Sequence, residues 1–310
     1  MTDSRRNFLK KSAAIIAAGT VIPKIVFPKE LSKSVGYKDD RLNTGYRYKI
    51  GVCDWMILKR QKMGAFAKTS EIGADGVELD MGGLGDRETF DNKILDPVFR
   101  QRFREELDKY NIEICSLAMS GFYAQSFAER ETYNIMVRDC INSMDMMNVK
   151  VAFLPLGVKG DLVQYPELRP AIVERLKKVA EMAEASNVVI GLETALDAEG
   201  EVKLLEEVGS KSIQIYFNFA NPLEAGRDLI KEMNILGKDR ICQIHCTDKD
   251  GVLLENNTRL DMPKVKQALD EMNWSGWLVI ERSRDANDPK NVVGNFGANT
   301  RYLKSVFQQD

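Results

Sequence analysis

Histidine is almost absent: His245 is the only imidazole in 310 residues. Whatever the fold does with imidazole, it does once. His245 reads either as a core histidine satisfied by a backbone hydrogen bond, or as a metal ligand or proton carrier, and one residue does not decide. Cysteine is also sparse, at Cys53, Cys115, Cys140, Cys242 and Cys246. The number is odd, four of the five sit in apolar strand-like runs, and no metal-type C-x-x-C spacing occurs. A disulfide framework is excluded in favour of buried free thiols. Basic runs of nucleic-acid type are missing outside the N-terminus, and the formal charge is −2, so no nucleic-acid partner is expected. What remains is ordinary globular composition, 44% hydrophobic and 29% charged, with ample length for a full core.

Long apolar runs are lacking too. The stretch Ala13 to Ile22 is too short to span a bilayer comfortably. It follows Arg5, Arg6, Phe8, Leu9 and Lys10 in "SRRNFLKKSAAIIAAGTVIP". A basic region before a short apolar one reads as an export signal over residues 1–28, and the arginine pair resembles a twin-arginine signal. The plainer alternative is a basic amphipathic helix of the fold. Export implies the twin-arginine machinery as a partner and a periplasmic or other extracytoplasmic location. No clean A-x-A cleavage site appears, so a retained segment would anchor the protein to the membrane. Residues 29–46, polar and aperiodic, read as a linker.

From residue 47 to 310 a pattern repeats. Short β-branched runs at 48–55, 76–80, 112–121, 150–157, 188–195, 212–220, 240–248 and 276–284 alternate with amphipathic helical stretches such as 96–111, 169–187, 261–274 and 295–307. In 169–187 the apolar residues Ile172, Leu176, Val179 and Ala183 recur at helical spacing. Near-continuous apolar strands suit a parallel sheet under a layer of helices. Eight such units predict a single-domain α/β fold, the (β/α)8 TIM barrel. An open doubly wound sheet would usually carry a glycine-rich phosphate loop after its first strand, where "CDWMILKRQ" stands instead.

In such a barrel the reactive groups gather at the C-terminal ends of the strands. The last four runs end in Glu193, Asn218, His245 and Glu281. A carboxylate in a dry barrel mouth is costly unless paired or metal-bound. Two carboxylates, an imidazole and an amide oxygen make a site for one divalent cation, with Mn2+, Mg2+, Co2+ and Zn2+ all open. The alternative pairs the glutamates with Lys150, Arg240 or Arg282 to stabilise the barrel. Trp55 near the first strand end can stack on a ligand ring or pack the rim, as can Phe122 and Tyr123 near the third. Asp54 beside Trp55 can bind a hydroxyl, and Arg282 can face the pocket or solvent. Asp248 and Asp250 either order the seventh loop or bind substrate.

The stretches "GLE" (191–193), "YFNFANP" (216–222), "IHCTD" (244–248) and "VIERSRD" (279–285) together resemble the xylose-isomerase-like TIM-barrel superfamily, the sugar phosphate isomerase/epimerase group, over residues 48–307. The resemblance implies that Glu193, Asn218, His245 and Glu281 hold one divalent metal, with Asn218 where the family usually has Asp. It implies a second, substrate-contacting glutamate at Glu199 and a substrate-binding residue at Asn221, where ketose epimerases of the family carry His. Their arginine six residues after the metal-binding histidine falls on Gly251, so the ketose contacts do not transfer. Glu199 as a helix-terminal charge and Asn221 as a cap before Pro222 are the simpler alternatives.

The activity so implied is metal-dependent isomerisation or epimerisation of a free or oxidised sugar through an enediolate, with Glu193 and Glu281 as acid and base. A lyase or hydratase acting on keto-glycosides would use the same enolate chemistry. A non-catalytic sugar-binding barrel is the reading from another class, and Asn218 is its supporting feature. The sugar is the expected partner, and homo-oligomerisation stays open.

Overall fold

The computed structural model describes residues 45–309, so the signal-like segment and all but the last two residues of the linker lie outside the described residues. Eight parallel strands close into a barrel in sequential order: β1 (Tyr48–Cys53), β2 (Gly76–Asp80), β3 (Glu113–Ala118), β4 (Val151–Pro155), β5 (Val189–Glu193), β6 (Ile213–Asn218), β7 (Ile241–His245) and β8 (Gly276–Ile280). The last strand pairs with the first, Tyr48 opposite Gly276 and Val52 opposite Ile280. Closure leaves no strand edge unpaired, which an open sheet of the same strands would not achieve. All eight strands fall within the runs expected from the sequence.

The helices cover the outside: α1 (Gly64–Ile72), α2 (Pro97–Tyr110), α3 (Tyr133–Met147), α4 (Arg169–Ala185), α5 (Ala198–Val208), α6 (Ala220–Glu224), α7 (Leu229–Leu236), α8 (Met262–Glu271) and α9 (Val292–Phe307). Their starts are written in the sequence. Asp96 accepts from the N–H groups of Val98 and Phe99 ahead of α2, with Pro97 at its first position. Asp197, Asp228, Asp261 and Asn291 cap α5, α7, α8 and α9 in the same way. The α4 face expected from periodicity, Ile172, Leu176, Val179 and Ala183, is buried. Each of its large aliphatic side chains contributes about 1.5–3 kcal/mol on burial. The connection from β6 to β7 carries two short helices, α6 and α7. None of the described helices is long and apolar enough to cross a membrane.

Alternation along the strands sorts the barrel interior. Residues two apart share a face, so Tyr216 stands below Asn218, Gln243 below His245, and Gly191 below Glu193. Adjacent registers then bring the strand ends level: Asn218 lies opposite His245, and Glu193 opposite Pro155. At Gly191 a Cβ would come within 2.6 Å of Cys242 Sγ and 3.0 Å of Tyr216 Cβ. The absent side chain is the space that Tyr216 uses to cross the interior.

Candidate active site

Glu193 and Asn218 end β5 and β6, His245 ends β7, and Glu281 follows β8 by one residue. The barrel brings all four together. His245 Nδ1 lies 3.1 Å from Glu193 Oε2 and 3.9 Å from Glu281 Oε2. Asn218 Nδ2 donates to Glu193 Oε2 at 3.0 Å and to Glu281 Oε2 at 3.1 Å. The orientation of that amide is set from behind, because Asn218 Oδ1 accepts the Ala220 N–H at 3.0 Å. Flipping it would turn an N–H2 group onto another donor. Asn218 therefore presents nitrogen, not oxygen, to the two carboxylates.

The environments of the two glutamates differ. Burial acts to raise the Glu193 carboxyl, but hydrogen bonds from His245, Asn218 and Tyr123 hold it below the usual range. Tyr123 Oη donates to Glu193 Oε1 at 2.8 Å. Glu281 is raised, first by burial and then by the charge of Glu193, against the pull of His245 and Arg282. Paired carboxyls pushed in opposite directions are the arrangement that acid–base chemistry on one centre needs.

His245 is completely buried. Burial alone would lower its pKa; the charges of Glu78 and Glu281 and the hydrogen bonds of Glu193 and Glu78 outweigh it and push the imidazole up to about 10. Its ring packs edge-on or tilted against Phe153, Tyr216 and Trp55, with centroids at 4.9, 4.5 and 6.5 Å. On the inner side, Nε2 faces Glu78 Oε2 at 3.1 Å. The Cys53 sulfur lies 3.7 Å from the same nitrogen.

A divalent cation is what the fold implies, and the donors can be tested against it. Glu193, His245 and Glu281 offer two carboxylates and an imidazole nitrogen, the right chemistry for such an ion. Glu193 Oε2 and His245 Nδ1, 3.1 Å apart, can share one centre, whereas the 3.0 and 3.1 Å separations of Asn218 are hydrogen bonds from its nitrogen, which is not a ligand atom. Glu281, 3.9 Å from the imidazole nitrogen, would have to turn toward them to complete a three-donor site. The amide fits only if it surrenders the Ala220 N–H. Among the described residues, the cluster whose ligand atoms lie mutually within 4.8 Å is a different one, Cys53, Glu78 and His245, all buried.

Trp55 is half-buried at the end of β1 and stacks near Phe153, 6.4 Å between centroids. Asp54 is buried and turned to the backbone, accepting from Gln61 N at 2.6 Å and Asp80 N at 3.2 Å. Arg282 is partly exposed, its Nε 3.8 Å from Glu281 Oε2. Asn221 Nδ2 donates to the Thr194 carbonyl at 2.8 Å. Glu199 is exposed in the first turn of α5, while Glu201 turns inward and accepts from Thr194 Oγ1 at 2.8 Å. Asp248 is held by Arg259 and Asn257, and Asp250 by Arg284, so both order loops.

Glu78, Tyr216, Gln243 and the hydrogen-bonding role of Tyr123 were missed by reasoning from strand ends. Tyr216 Oη donates to Glu78 Oε2. Gln243 Nε2 donates to Tyr216 Oη at 2.7 Å and to Ser116 Oγ at 2.8 Å. The available signal was period two: Gln243 and Tyr216 lie two residues before His245 and Asn218.

With this geometry in place, comparisons with known proteins agree on the architecture. The family model described as "Xylose isomerase-like TIM barrel" matches residues 66–305. A 2-epi-5-epi-valiolone 7-phosphate 2-epimerase from Actinoplanes sp. is 23% identical over 185 residues, which is 58% of this chain and 65% of that protein, so the match spans less than two thirds of the relative. The crystal structure of a D-psicose 3-epimerase from Clostridium cellulolyticum H10 superposes with TM-score 0.65 at 13% identity, covering 84% of this chain and 99% of the other. A 3-keto-D-glucoside 4-epimerase from E. coli superposes with TM-score 0.65 at 15% identity, covering 83% and 99%.

Proposed function

The chain belongs to the xylose isomerase-like TIM barrel family, and we propose that within it this protein is a sugar epimerase or isomerase working through an enediolate, with Glu193 and Glu281 as its acid–base pair. The observation that carries the reading is the pair itself. Two carboxyls from β5 and the end of β8 converge on one imidazole and one amide, and their surroundings push them in opposite directions.

Glu193, held in its carboxylate form, removes the proton from the carbon next to a carbonyl. The electron pair of that C–H bond passes into an enediolate. Glu281, kept more basic by burial, returns a proton. Delivery to the opposite face of the same carbon gives an epimer, and delivery to the neighbouring carbon gives an isomer. No external oxidant or reductant is required. A divalent cation held by Glu193, His245 and Glu281 would supply positive charge for the developing oxyanion. The Asn218 amide keeps the two carboxylates apart and oriented, Tyr123 anchors Glu193 from the rim, and Trp55 offers a ring face to a sugar. Arg282 at the mouth suits an oxidised or keto-sugar, because its guanidinium can donate to a carboxylate or carbonyl oxygen.

The export-like N-terminus favours unphosphorylated substrates met outside the cytoplasm, and the similarity to a 3-keto-D-glucoside epimerase makes keto-glycosides the first panel to try. The test is incubation in deuterium oxide with keto-sugars and keto-glycosides, with and without added Mn2+. Deuterium appearing α to a carbonyl, together with an epimer or isomer, supports the proposal. Exchange followed by loss of a β-substituent would make the protein a lyase. No exchange from any member of the panel would leave a binding barrel.

A further inference from the structure

The interior of this barrel holds a carboxylate that the proposed chemistry does not use. Glu78 sits in β2 and is wholly buried. A buried carboxylate is costly unless something recovers the cost, and the only ion pair it makes among the described residues is to His245 Nε2, at 3.1 Å. Its Oε2 also accepts from Tyr216 Oη, while its Oε1 has no hydrogen-bond partner. Tyr216 is tied in turn to Gln243, and Gln243 to Ser116. Glu78 is thus gripped by a network spanning β2, β3, β6 and β7, and it meets the one histidine on the face away from the catalytic pair.

The ring has two nitrogens and two sets of carboxylates. Nε2 faces inward to Glu78; Nδ1 faces outward to Glu193 and Glu281. We propose that Glu78 is a positioning residue: it accepts the Nε2–H proton of His245, fixing the ring and presenting Nδ1 to the Glu193–Glu281 centre. A carboxylate behind an imidazole holds the proton on the facing nitrogen and fixes the orientation of the ring. Cys53, beside Nε2, does not compete for the role, since burial pushes its thiol up and keeps it neutral. The Mn2+ readout rests on the cation site of the proposed function, and the imidazole readout does not.

The single histidine makes the test clean, because protein labelled with nitrogen-15 histidine gives one imidazole spin system. In the full chain at neutral pH, long-range proton–nitrogen spectra should show a protonated, slowly exchanging Nε2. Glu78→Leu should speed exchange of that proton and move the Nε2 shift. Its Mn2+ affinity, read by calorimetry, should fall about 10- to 100-fold. Glu78→Gln keeps an acceptor oxygen and should fall between Leu and wild type in both readouts. It also carries the test alone if Glu78→Leu does not fold, by a moved Nε2 shift and weaker Mn2+ binding. Imidazole shifts and Mn2+ affinity unchanged in the glutamine variant would reduce Glu78 to a structural core residue and overturn the proposal. So would Zn2+ binding with two equivalents of which Cys53→Ser removes one, because the inner pocket would then hold a cation instead of a proton. Neither spectrum nor calorimetry needs a substrate, so failure here is separable from failure of the proposed reaction.

Discussion

The amide nitrogen of Asn218 lies 3.0 Å from Glu193 Oε2, and the amide oxygen is turned away to the Ala220 N–H. A carboxylate at this position would keep the backbone contact with one oxygen and aim the other at the centre. Asn218→Asp should therefore raise Mn2+ affinity at least about tenfold, since ligand charge tunes such sites. Without a cation, three carboxylates would converge, and the variant should lose roughly 3 kcal/mol of stability. Calorimetry and melting with and without chelator check both halves. Unchanged Mn2+ affinity would mean that position 218 is not part of a cation site.

Among the described residues, Tyr123 is the only one that hydrogen-bonds Glu193 through a hydroxyl, at 2.8 Å. That bond helps hold the Glu193 carboxyl low. In Tyr123→Phe the carboxyl should rise, and the acidic limb of the kcat/KM profile should move to higher pH. An unmoved limb would remove Glu193 from the role of base.

Glu201 gives a pH dependence independent of the site's chemistry. Burial pushes its carboxyl up to about 8, against the hydrogen bond from Thr194 and with the charge of Glu232 adding to the rise. The folded value lies above the unfolded one, so the stability it contributes is full below the ordinary carboxyl range. That contribution is lost as pH rises through about 8. Glu201→Gln keeps the contact with Thr194 and should flatten this decline. Denaturant midpoints at pH values either side of neutrality measure it, and an equal decline in both proteins would contradict the assignment.

Gly191 keeps the interior open for Tyr216. Gly191→Val should cost about 1–3 kcal/mol by overpacking and disturb the bond between Tyr216 and Glu78. The Tyr216 contact with His245 makes the imidazole spectrum a second readout. A stable variant with unchanged imidazole signals would show that Tyr216 has room to spare.

Much of this was legible beforehand. The strands announced themselves as apolar runs closed by polar residues, and helical spacing marked the buried face of α4. The four strand-end residues were found because their positions follow from fold geometry. Glu78 was not, because reasoning from strand ends looks at the last residue of a strand, and Glu78 lies two residues before the end of β2. Glu199 and Glu201 show a second limit. Both lie in the first turn of α5, and only the angle of the helix on the barrel decides that Glu201 turns inward. The direction of the Asn218 amide depends on a backbone N–H two residues on, which no spacing rule supplies.

The central claim is that Glu193 and Glu281 move the proton. On any keto-sugar or keto-glycoside that acquires deuterium with the wild-type protein, Glu193→Gln and Glu281→Gln should be compared in deuterium oxide. The account predicts that Glu193→Gln abolishes exchange, and that Glu281→Gln still lets the proton leave but slows product formation by about 100-fold or more. Full exchange and product formation in both variants would contradict it.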